Sequence, residues 1–100
     1  MKLMAEWQSW PVWDYSDGIP DNLDHAQLPI SADLVAEISE WDRGFQETFN
    51  TDYPPDSGFL TDEEARAFDA LGHELALRLA WELGPQVSVE YVPTVYVAGK

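Results

Sequence analysis

Between Leu60 and Pro85 the chain reads LTDEEARAFDALGHELALRLAWELGP, and Phe68, Leu71, Gly72, Leu75, Leu79 and Leu83 recur in it at spacings of three and four. That spacing lays one apolar stripe along a helix. Thr61 reads as its N-cap with Glu64 as the capping-box partner, and Gly84 and Pro85 supply the stop. A second stripe runs through Leu34, Ile38, Trp41, Phe45 and Phe49. Ser31 opens that helix, with Ile30 before the cap and Val35 after it as a hydrophobic staple. Gly44 inside it costs roughly 1 kcal/mol relative to Ala, which predicts either a close helix contact or a frayed last turn.

The ends of the chain change period. Leu3, Ala5 and Trp7 alternate with Lys2, Glu6 and Gln8, and Val87, Val89, Tyr91, Pro93, Val95 and Val97 alternate with their neighbours. Each reads as a strand with one buried face, the second edge-bound or bulged at Pro93. Val12, Trp13 and Tyr15 form either a short extra strand or a loop over the core. Asp14 to Pro29 carries Gly18, Pro20, Asn22 and Pro29 and reads as loop, and Asn50 to Gly58 reads as an extended linker between the helices. In that linker Gly58 is expected to take a turn conformation and Phe59 to tuck into the core.

The expected architecture is therefore α+β, a helix hairpin packed on a small antiparallel sheet in the order β-α-α-β, with a further short strand near 12–15. The terminal strands would pair antiparallel. A two-stranded sheet is marginal, so either residues 12–15 or a second copy of the chain, as a homodimer, completes it.

Composition adds bounds. One hundred residues with 45% hydrophobic side chains and 13% aromatic make one domain, residues 1–100, with a modest core. There is no cysteine, and the opening MKLMAEWQSW is interrupted by charge where a signal peptide needs an apolar run. No run is long enough for a bilayer crossing, and the expected location is cytoplasmic. The extreme quantity is charge: 19 acidic against 5 basic residues, net −14. Such a field repels phosphate backbones and anionic lipid and attracts basic partners, so nucleic acid and membrane surfaces are excluded as direct ligands.

Candidate chemistry is sparse. Asp14, Asp17, Asp21 and Asp24 crowd one loop, but the glycine falls one place early for a helix-loop-helix calcium site, and Asp21, Asp24 and His25 are thin support for a transition metal. No metal and no cofactor is expected. His73, four residues after Asp69, has a carboxylate to orient it but no nucleophile motif accompanies it, so no catalytic residue is assigned and the protein is read as non-enzymatic. More informative is the first helix, where Asp33, Glu37, Glu40 and Glu47 fall along one line with only Arg43 nearby, whereas the second helix pairs Asp62 with Arg66 and Glu74 with Arg78. The acidic line is the candidate for steering a cationic partner, and Trp10, Trp13 and Tyr15 are candidate anchors for holding it.

The stretch DSGF at 56–59, followed by TDEEARAFDALGHELALRLAWELGP and VSVEYV, resembles a group of small acidic bacterial proteins over roughly residues 29–92. Its shared positions are cap, loop and core residues, and it carries no catalytic residue over. In size, charge and lack of chemistry the chain is also similar to immunity proteins and antitoxins, which neutralise basic toxins; that likeness is one of role and not of fold. It implies a non-enzymatic protein that binds a basic, toxin or nuclease-like partner, blocking for example a nucleic-acid groove. Two other readings stay open: a small-ligand binder or enzyme using the Trp-rich loop with His25 or His73, and a self-assembling structural module pairing through its terminal strands.

Overall fold

A computed structural model describes residues 1–16, 18–49, 51–52 and 57–94. Two helices pack on one face of a small sheet, so the molecule is α+β. Helix α1 runs Ala32–Gln46 and helix α2 runs Asp62–Leu83, both opened by the caps expected of them: Ser31 Oγ accepts from Leu34 N and Thr61 Oγ1 from Glu64 N. Gly84, at φ 94°, ends α2. Leu34, Ile38, Trp41 and Phe45 of α1 face Phe68, Gly72, Leu75 and Leu79 of α2. The Trp41 and Phe68 rings stack at 4.4 Å, and the Trp41 indole N–H donates to the Phe68 carbonyl at 3.0 Å. Leu71 departs from its expected stripe and is exposed.

The sheet has four strands, β1 (Lys2–Leu3), β2 (Val12–Asp14), β3 (Asp21–Leu23) and β4 (Glu90–Tyr91), in the order β3-β2-β1-β4. Residues 12–14 are thus a strand, and the expected loop from 14 to 29 holds another, followed by a 3-10 turn at His25–Gln27. β3 was hidden because Asp21 and Asn22 have poor strand propensity; it pairs as the outer member of a meander, where backbone bonds to β2 outweigh propensity.

The terminal strands do meet, but in parallel, Lys2 opposite Glu90 and Leu3 opposite Tyr91, so the sheet is mixed where an antiparallel pair was expected. The connection from Gly84 to Val89 is six residues and spans up to about 20 Å, enough for the chain to enter β4 from either end. Both terminal strands are also shorter than their alternation predicts. The first stops because the chain turns through residues 7–9, with Gln8 at φ 62°, yet Ala5 still buries as the pattern required. The last part of the second expected strand, residues 95–98, lies outside the described residues, as do Asn50 and 53–56 of the expected linker. At its end, Gly58 (φ 130°) takes the turn and Phe59 packs on Phe45 and Phe68.

Leu3 pairs with Val12, and both are fully buried against the helices, so Lys2 and Trp13 project from the opposite, outer face. Gly72 sits at a close approach between layers: a Cβ there would stand 2.6 Å from Tyr91 Cζ and 2.8 Å from Trp41 Cζ2. Gly44, in contrast, has nothing within 4 Å and lies in the last turn of α1. No helix among the described residues is long and apolar enough to cross a membrane.

Candidate functional site

The candidate residues that the structure describes have definite places, and the places differ; Asp17 lies outside the described residues. On α1 the four carboxylates of Asp33, Glu37, Glu40 and Glu47 are exposed on the flank turned toward α2. Their row is not uncompensated, as the sequence suggested. Arg43 pairs with Glu40 and, at 2.5 Å, with Glu47, while Arg78 leaves the expected Glu74 and crosses from α2 to Glu37. The Arg43 guanidinium, hydrogen-bonded to Glu40, holds that carboxyl below its usual range. The periodicity of α2 allowed either partner for Arg78; packing the helices brought Glu37 within reach. All three pairs are exposed, so each contributes little and can be exchanged for a partner's cation.

The aromatic candidates lie elsewhere. Trp13 is half-buried on the outer sheet face, its indole N–H donating to the Met4 carbonyl at 3.1 Å. Tyr15 lies beside it under Lys2, whose Nζ stands 4.7 Å from the ring centroid. Both side chains are already engaged within the domain. Trp10 is different: it is 49% exposed, and with Gln8, Ser9, Asn22, Asp42 and Gln46 it lines an open groove of about 370 Å3. That groove is on the other flank of α1, since Asp42 follows Glu37 by five residues and so is turned about 140° around the helix. The acidic row and the three aromatics therefore form no single site.

A further exposed group, missed in the sequence, lies on α2. Leu77 and Trp81 of α2 are 68% and 84% exposed. They fall opposite the buried Leu75 and Leu79, on the outer face of the helix carrying Arg78, whose ion pair with Glu37 ties that face to the acids of α1. The signal was legible: Leu77 and Trp81 are one turn apart and both off the apolar stripe. With Ala80, Gly84, Pro85 and Val87 they line an apolar groove of about 500 Å3. An exposed tryptophan beside a leucine, rimmed by charge, is the make-up of a protein-binding anchor.

The histidines have structural surroundings. His25 is buried, its Nε2 paired with Ser39 Oγ at 2.8 Å, and burial pushes the ring's pKa down. Asp69, expected to orient His73, instead accepts from the Tyr91 hydroxyl at 2.5 Å and the Thr94 N–H at 3.0 Å, while the His73 ring packs on Tyr91. This ties β4 to α2, and burial together with the Asp69 bond raises the Tyr91 hydroxyl's pKa far above its ordinary value. Among the described residues no three His, Cys, Asp or Glu side chains gather to hold a metal ion.

No curated protein matches the chain. A family model does, over residues 1–94, and its description is Serratia CdiI immunity protein-like. That span takes in both helices and all four strands, including the acidic flank and the exposed face of α2. On a match covering nearly its whole length, this small acidic α+β chain belongs to the Serratia CdiI immunity protein-like family, whose description points to a toxin-neutralising immunity function.

Proposed function

We propose that this protein neutralises a basic toxin by docking the outer face of its two helices over the toxin's cationic site. Leu77 and Trp81 are the desolvated anchor, and Asp33, Glu37, Glu40 and Glu47 steer the encounter and replace their internal arginine partners with cations of the toxin. The observation that carries the reading is the exposure of Trp81, 84%, on the helix whose Arg78 pairs with Glu37 of the acidic row, in a chain of net charge −14. A soluble monomer gains nothing from an exposed indole next to an exposed leucine, whereas hot spots of binding are centred on such groups. The role is stoichiometric inhibition, without catalysis, in keeping with the family and with histidines that serve packing.

The test is growth rescue with affinity measured alongside. A toxin gene from the chain's native locus arrests growth when expressed alone, and co-expression of the chain restores it. Trp81→Ala weakens the purified complex by about 2 kcal/mol or more, roughly thirtyfold in Kd, as a central tryptophan does. Full rescue and unchanged affinity for Trp81→Ala together with Leu77→Ala would overturn the assignment of this face.

A further inference from the structure

The Trp10 groove lies on the flank of α1 turned away from the acidic row, and its construction points to one kind of group. It is lined by the Trp10 indole, half exposed, and by Asp42, half-buried, whose one hydrogen-bond partner among the described residues is Gln46 Nε2 at 3.3 Å from Oδ1. Among the described residues no cation accompanies that carboxylate, whereas Glu37, Glu40 and Glu47 each pair with an arginine. Burial raises the Asp42 pKa, only partly offset by the Gln46 bond.

The surroundings hold the groove open. Gln46 fixes the turn beside it, donating to the Glu6 carbonyl at 2.9 Å and accepting from Gln8 N at 2.9 Å. Gln8 itself sits at φ 62°, a left-handed conformation uncommon for a residue with a side chain. Asn22 grips Trp10 from the other side, accepting from its N–H at 2.9 Å and donating to its carbonyl at 2.6 Å. The amides around the carboxylate are thus spent on the scaffold, and the indole face and the second carboxylate oxygen are left to a ligand.

We infer that this groove is a receptor for an arginine side chain of the toxin, the guanidinium stacking on the Trp10 ring and bonding to Asp42. A planar guanidinium satisfies a flat aromatic wall and a carboxylate together, which a compact ammonium does not. The inference rests on the toxin-binding reading above, but it concerns a second contact surface, so that a toxin is gripped from both flanks of α1.

Titration of the isotope-labelled full chain with N-acetyl-arginine amide, followed by NMR, tests the site without any toxin. The Trp10 indole and Gln46 side-chain signals shift, with a dissociation constant on the order of millimolar. N-acetyl-citrulline amide, equal in shape and neutral, produces no such shift, and Asp42→Asn abolishes the response to arginine. Equal shifts with citrulline, an Asp42→Asn chain that still responds, or a response to N-acetyl-lysine amide as strong as to arginine would each overturn the assignment. In the complex, Trp10→Ala and Asp42→Asn, checked by matching thermal melts, each weaken toxin binding about tenfold; unchanged affinity in both would overturn it too. A chain that neutralises no toxin defeats the function proposed above, while the probe titration still reads the groove by itself.

Discussion

Gly44 and Gly72 interrupt the two helices, Gly72 within an apolar stripe and Gly44 outside one, but the sequence does not say how closely either is packed. The space around each one differs. At Gly72 a methyl would strike Tyr91 and Trp41, so Gly72→Ala costs about 1–3 kcal/mol by overpacking, read as a lower midpoint in urea unfolding. At Gly44 the space is open, and Gly44→Ala stabilises by about 0.5–1 kcal/mol through helix propensity. His25 makes a prediction in pH. Its ring is buried with Nδ1 unpartnered among the described residues, and its folded pKa is depressed below 6.5. The unfolded chain therefore takes up a proton that the folded one resists, so the stability His25 contributes is complete above pH 6.5 and is lost as pH falls from there through the folded pKa. Unfolding free energies at pH 7.5 and 5.0 show this drop in the native chain, and His25→Gln removes it; parallel pH dependences in the two would refute the assignment.

At the scale of elements, the helix caps were legible because capping is local chemistry, a hydroxyl three residues from the amide it accepts. Ser31 does more than the sequence could show. Its N–H and hydroxyl also donate to Glu82 at 2.6 and 2.9 Å, which links the start of α1 to the end of α2. Ser31→Ala is therefore expected to cost about 1.5–2 kcal/mol against about 1 kcal/mol for Thr61→Ala, measured by denaturant unfolding. Equal losses would mean that the exposed Glu82 link contributes nothing. Strands were read less well than helices. A two- or three-residue strand such as β1 or β3 has too few positions to show a period, and its existence depends on the backbone groups of the neighbour it meets.

For the molecule as a whole, charge dominates. With net charge −14 the folded chain repels itself, and added salt screens that repulsion, so thermal stability rises with NaCl in the absence of partner. Association with the toxin responds in the opposite sense. On the proposed function, its on-rate in stopped flow is expected to fall by at least about tenfold between low and high salt, because salt would screen steering by the α1 carboxylates. An on-rate indifferent to salt would remove the role given to Asp33, Glu37, Glu40 and Glu47.

What the chain's order of residues determined by itself was whatever depends on near neighbours or on sums: two capped helices and their core stripes, the α+β class and the surplus of acid. Tertiary structure decided the parallel entry of β4, the partner of Arg78 and the separation of Trp10 from the acidic row. Each of these joins residues distant in sequence, where many pairings satisfy the same periodicity. Only the simultaneous packing of helices and sheet selects among them, and the surfaces left over from that packing are where a partner can bind.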